Sequence, residues 1–358
     1  MRFTDYRRHM ERAAASWFRS RGLSVRARTP YVLNERGDWK DNLILPDLAP
    51  LIEGQRAGFP LHKWVHHGLS SQAMLFNLLL PLIDRDAVED LRMAFPGIPW
   101  PQDATLRLEV EDRTVFAENR GQPTSLDASI EGGGAPLFIE AKLVEQEFGG
   151  CSQVAGGECD GRNPWADHAL CPLHRLGRLY WSRLEDQGFE LGEGPFCHLA
   201  TNYQFFREVA FALHRGGHLI LLVHDDNPAF YAEEGRRGLW PLLAEGVPEV
   251  HRDRLHRVGL RQVVDALRAT GGHEDWLPDF EHRYGLKPQA TSQASLEDLP
   301  PALQAEVQRV WALLDGGRAR GVKGGPLQQR ISRLLRDEGL SRQDREPILA
   351  HGRRLYGR

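Results

Sequence analysis

Asp127 stands on one side of Glu131-Gly132-Gly133-Gly134-Ala135, and Glu140-Ala141-Lys142 stands on the other. A Gly-Gly pair suits the centre of a two-residue hairpin turn, because both central positions can then take positive φ at no steric cost. With Gly133 and Gly134 as that turn, Asp127 falls directly opposite Glu140. Side chains alternate along a strand, so Glu140 and Lys142 share one face. Leu137, Ile139, Ala141 and Leu143 take the other, joined across the hairpin by Leu126, Ala128 and Ile130. Carboxylates on neighbouring strands repel each other unless a cation lies between them, and an oxygen-only donor set suits Mg²⁺ or Mn²⁺. A lysine beside them can hold and orient an attacking water, while the ion polarises a phosphoryl oxygen and lowers the pKa of that water. The chemistry implied is metal-assisted hydrolysis of a phosphodiester.

The surrounding elements must hold this trio in place. Thr4 to Arg21 carries Met10, Ala13, Ala14, Trp17 and Phe18 at helical spacing and stops at Gly22. Ser70-Ser71 precedes a largely apolar helix through Leu80, interrupted near Pro81. Leu106, Leu108 and Val110 alternate with charged residues, which predicts a strand with one wet face. Strands over Ser125 to Glu131 and Leu137 to Val144 follow it. Thr201 and Gln204 have the form of a capping box opening a helix that Gly216-Gly217 closes, and His218 to His224 then reads as a buried strand. The order is helix, three strands, insertion, helix, strand.

These residues resemble the PD-(D/E)XK nuclease superfamily, through Pro123-Thr124-Ser125-Leu126-Asp127 and Glu140-Ala141-Lys142 in that order of elements. The Ser71-Gln72-Ala73 helix and Tyr203-Gln204-Phe205-Phe206-Arg207 are also similar to a narrower group of bacterial restriction-endonuclease-like proteins. The resemblance implies an α/β restriction-endonuclease-like core: helix, three-strand meander, helix, strand, with a small mixed sheet. It implies a Mg²⁺-dependent deoxyribonuclease in restriction, phage defence or DNA repair. Asp127 and Glu140 would ligate the metal with the Ala141 carbonyl, and Lys142 would position the water. Many members place a glutamate on the first core helix; this chain has Gln72 there, as a weaker ligand, a phosphate-positioning group or a helix cap. Gln204 matches the glutamine that exonuclease branches carry on the helix after the strands. Arg207, one turn further, reads as a phosphate contact or a surface salt bridge. Endonuclease and exonuclease both remain open, and the alternative is a catalytically weakened nuclease fold acting as a DNA-binding or scaffold subunit.

All four cysteines, Cys151, Cys159, Cys171 and Cys197, lie in an insertion over 148–198, with seven, eleven and twenty-five residues between them. Four thiols in a chain of 358 residues are too few for a disulfide framework, and in a reducing cytosol such a cluster suits Zn²⁺ or an iron–sulfur cluster. The superfamily has an iron–sulfur branch, with one cysteine before the core and three after it, whereas all four here lie inside it. Cys171 and His174 offer a mixed zinc pair; four unlinked buried thiols are the plain alternative. His66, His67, His214, His218 and His224 read as loop or core histidines. Tyr180, Trp165 and Trp181 either stack on bases or anchor the insertion.

Hydrophobic residues at 41% and charged residues at 26% exclude a wholly disordered chain or a fibre. No apolar run approaches a membrane span, so the chain reads as soluble and cytoplasmic. The net charge of −4 conceals basic ends: eight arginines against two acids over 1–33, and twelve Lys or Arg against six acids over 304–358. Such ends can follow phosphates or form solvated helix faces. A nuclease-like domain over 1–285, a Pro-containing linker over 286–301 and a basic helical tail over 302–358 are expected, with DNA as substrate. A homo-oligomer or a defence-system partner protein is also compatible.

Overall fold

The computed structural model describes residues 2–55, 61–231, 238–286 and 307–309. The chain divides into two units, Met1–Leu286 and Lys287–Arg358. The linker and tail expected from the sequence lie almost wholly outside the described residues. The sheet, its helices and the cysteine insertion all belong to the first unit.

A five-stranded mixed sheet forms its centre. Strands β1 (Gln102–Asp112), β2 (Thr124–Gly133) and β3 (Leu137–Lys142) run antiparallel in that order, and β4 (His218–Val223) and β5 (Leu255–Gly259) add in parallel beside β3. Parallel addition needs a crossover, and helix α3 (His198–His214) supplies it between β3 and β4. Strand β5 is an addition to the elements that the sequence predicts. Helices α1 (Phe3–Ser20), α2 (Ser71–Asp84), α4 (Leu260–Thr270) and α5 (Leu277–Arg283) pack with one face of the sheet.

The inner strands are buried on both faces and therefore read as apolar runs. On β4, Ile220 and Leu222 join the core with α1 and α2, while Leu219, Leu221 and Val223 join the core with α3. Phe138 meets Phe211 of α3 in that second core, with ring centroids 5.1 Å apart. Helix α2 is apolar on nearly every side because it lies inside the unit, and the Ser70 hydroxyl caps it by accepting the Ala73 N–H at 3.2 Å.

Ala128 pairs with Ile139, Ser129 with Phe138 and Ile130 with Leu137, the register that a Gly133-Gly134 turn would set, but the tight turn itself is not formed: Gly134 takes a φ of +112°, whereas Gly133 stays in β2 and pairs with Gln102. The apolar face predicted across this hairpin does not hold throughout. Ala128 and Ile130 face the first core, but Leu126 packs in the second, with Phe116 and Phe138. The change coincides with Glu109 on β1, which has a φ of +51° and interrupts the regular pleat.

The capping box is also not formed. Helix α3 begins at His198, with Cys197 as its N-cap, and kinks at Asn202 (φ −128°, ψ 39°). The Gln204 side chain is engaged elsewhere.

The insertion is anchored by its aromatics and arginines. Tyr180 and Trp181 are buried, the Tyr180 hydroxyl donates to Glu118 Oε1, and Arg178 donates to the carbonyls of Ala117 and Arg120.

Candidate active site

Three carboxylates lie in a row across the sheet. The β1–β2 register sets Leu108 against Ala128 and Val110 against Leu126, which places Glu109 across from Asp127. The β2–β3 register carries the row on to Glu140. The main-chain ladder between β2 and β3 stops before Asp127; there, the Ala141 N–H donates instead to Asp127 Oδ2 at 2.8 Å.

Each remaining polar group is held by a specific partner. Lys142 Nζ donates to Glu140 Oε1 at 2.7 Å and to Gln204 Oε1 at 2.8 Å. Gln204 Nε2 donates to the same Glu140 oxygen at 2.6 Å, so one amide fixes both members of the ion pair. At the other end of the row, Gln72 Nε2 donates to Glu109 Oε1 at 2.6 Å, and Gln72 Oε1 accepts the His62 N–H at 2.9 Å. Gln72 therefore neither caps α2 nor faces solvent.

The charges are crowded. Burial, then the Glu140 and Glu109 carboxylates, raise Asp127 well above the usual range for an aspartate. Burial pushes Glu109 up to about 7 against the partial relief of its Gln72 hydrogen bond. Burial alone would lower the Lys142 ammonium, but Glu140, Glu208 and Glu145 outweigh it and keep the lysine charged. Lys142 is thus a donor and a source of positive charge, not a base. The excess of negative charge is what a cation would relieve.

Among the described residues, neither Asp127 Oδ1 nor Glu140 Oε2 accepts a hydrogen bond. Both residues line a cavity of about 1110 Å³, together with Glu109, Gln72, Gln204 and Arg207. Among the described residues no three His, Cys, Asp or Glu side chains are drawn tightly enough together to hold an ion.

The structure brings Asp127, Glu140, Gln72 and Gln204 together at this cavity, with Lys142 buried behind them and bonded to Glu140 and Gln204. The four cysteines form no disulfide, and Cys151 lies within electrostatic reach of Cys159, Cys171 and Cys197, although no three of the four are drawn tightly enough together to hold an ion. Burial pushes the Cys151 thiol up, and the Cys197 thiol up to about 11, and the neighbouring cysteines add to both shifts. Tyr180 and Trp181 act as anchors. His66, His218 and His224 are buried, and burial lowers the pKa of each.

Two further acidic residues join the site without a signal in the sequence. Glu109 lies in an alternating Arg107-Leu108-Glu109 pattern that reads as a solvated strand face, and nothing local announces its positive φ. Glu208 is fully buried on α3 with neither carboxylate oxygen hydrogen-bonded; burial and Glu140 raise its pKa well above the usual range.

No helix among the described residues is long and apolar enough to cross a membrane. Neither the curated proteins nor the solved structures held a match. Residues 12–285, which span the whole carboxylate row and both glutamines that brace it, match the family model described as restriction endonuclease associating with ARP, and the chain belongs to that family.

Proposed function

We propose that this protein is a Mg²⁺- or Mn²⁺-dependent deoxyribonuclease with a PD-(D/E)XK-type site, acting in restriction, phage defence or DNA repair. The observation that carries this reading is the pair Asp127 and Glu140, each with an oxygen free toward the cavity, beside a lysine kept charged. Asp127 and Glu140, with the Ala141 carbonyl, would hold the ion, which polarises the phosphoryl group and lowers the pKa of the attacking water.

The chain's own residues do the remainder. Lys142 donates to the attacking water and offsets the charge developing on the phosphoryl oxygens. Gln204 locks Lys142 and Glu140 in one geometry. Gln72 holds Glu109, so this helix orients a carboxylate at the end of the row instead of supplying one. The description of the family favours ARP as a partner of this chain.

Gln72 also supports a second reading, since it adds no charge where a glutamate would. The fold would then be a weakened nuclease serving as a DNA-binding or scaffold subunit. Incubating plasmid and end-labelled linear DNA with the full chain in Mg²⁺, Mn²⁺ or chelator separates the two. The nuclease reading expects cutting with either ion and none in chelator; DNA binding without cutting in both ions would favour the scaffold.

A further inference from the structure

Helix α3 places Arg207 three residues after Gln204, on the same side of the helix. Gln204 touches Lys142 and Glu140, and Arg207 lines the same cavity one turn along. Its guanidinium lies over the Tyr203 ring, 5.1 Å from the centroid. Beyond that contact it has no hydrogen bond or ion pair with a described residue, and its Nε is buried without a partner. The surface salt bridge that the sequence allowed is not formed.

The nearby acids do not claim it. Both Glu118 oxygens are taken, one by the Thr124 N–H and the other by the Tyr180 hydroxyl. Glu208 lies fully buried and makes no hydrogen bond with the guanidinium, although its charge and that of Glu118 act on it from a distance. A guanidinium has five donors in a rigid fork, and leaving them unsatisfied in a largely buried position costs stability. Such a group suits an oxyanion that arrives from the cavity and accepts two bonds at once. Arg113 lines the same cavity, pinned by its Nη1 to the carbonyls of Glu118 and Gly121.

We infer that Arg207, supported by Arg113, forms a phosphate subsite beside the carboxylate row, holding a backbone phosphate of DNA next to the one that is cut. This rests on the nuclease reading and adds a metal-independent anchor to it. Arg207 is a positioning residue: it fixes the strand, while Asp127, Glu140 and Lys142 face the reacting phosphate.

The test is fluorescence anisotropy of fluorescein-labelled DNA, single-stranded and duplex, with the full chain in chelator across a salt series, beside thermal melts and Mg²⁺-dependent cutting. Arg207→Met should bind ~10-fold or more weakly, with a log–log salt slope shallower by about one, while Arg207→Lys keeps the slope. The Arg207→Met melting temperature should stay level or rise, because a buried charge without hydrogen bonds is removed. Unchanged affinity and slope in Arg207→Met, with a wild type that binds and cuts, would overturn the subsite alone. Weaker binding tied to a lower melting temperature would make Arg207 structural and also overturn it. A wild type that neither binds nor cuts DNA would overturn the nuclease reading and the subsite together.

Discussion

The sheet end at Asp127 and the cysteine insertion hold the two most chemistry-laden sets of residues, and the fold treats them differently. At the sheet end, strand register brings Glu109, Asp127 and Glu140 into one row, and each has a dedicated hydrogen bond from Gln72, the Ala141 N–H, or Lys142 and Gln204. In the insertion, Cys151, Cys171 and Cys197 each serve as a helix N-cap residue, and the thiols are free. Proximity in sequence is not preorganisation. At the sheet end, where the ladder stops and the pleat is broken, it is these hydrogen bonds that fix the carboxylates, whereas no such bond joins the thiols to one another.

The largest effect that separates the two regions is expected at Glu140 and Lys142. Both are buried, so truncating one strands the charge of the other. The paired variant Glu140→Gln/Lys142→Met removes both charges at once, and it should fold and lose Mg²⁺-dependent cutting by ~10²–10³-fold or more, read as initial rates on labelled DNA. Normal cutting by this variant would dissolve the comparison.

Glu109→Gln should slow cutting by a smaller factor, ~10–100-fold, because it alters charge around the row and keeps the Gln72 hydrogen bond. It also carries a pH signature. The unfolded chain releases this proton near 4.5 and the folded chain near 7, so between those values the folded state binds more protons. Stability therefore falls as pH rises through that window and is level above it. Glu109→Gln should be more stable than wild type at pH 8 by about 2–3 kcal/mol and equal to it near pH 4, measured by denaturant titration in chelator. An equal pH profile in both proteins would show that Glu109 is neither desolvated nor crowded by Glu140 as the fold requires.

The smallest effect is expected in the insertion. Serine at Cys159 or Cys171, both half-buried, should change melting temperature and cutting rate little, because the hydroxyl replaces the thiol in shape and can still accept the Gly161 N–H that Cys159 Sγ takes at 3.4 Å. Stoichiometric zinc or iron in the purified wild type, lost together with its melting temperature in these variants, would reverse the comparison and make the insertion a metal domain.

Much of the sheet end was legible in the sequence. Period-two alternation on either side of the glycines announces the register of β2 and β3, although the connection is wider than a Gly133-Gly134 turn, and the apolar run His218–Val223 announces an inner strand. Strand β5 was not legible, because Leu255–Gly259 is short, follows a charged stretch and is only half-buried over its first three residues. Gln204 resembled a capping residue since Thr-x-x-Gln is local, whereas its true partners lie 62 and 64 positions away. Glu109 was hidden for a similar reason: a positive φ in a strand depends on tertiary packing, which overrides the preference of the chain. The cysteines were legible as a cluster, and the fold keeps Cys151 within electrostatic reach of the other three, but spacing carries no information on whether the sulfurs meet at bonding distance.

The most direct test of the central claim is calorimetric titration of Mg²⁺ into the metal-free full chain and into Asp127→Asn at pH 8. Asparagine keeps an oxygen for the Ala141 N–H and removes one charge from the row. Wild type should bind the ion, the variant should bind it ~10-fold or more weakly, and the metal-free variant should melt higher than wild type because repulsion is relieved. Equal affinities in the two proteins, or a metal-free variant that melts lower, would contradict a cation site at Asp127.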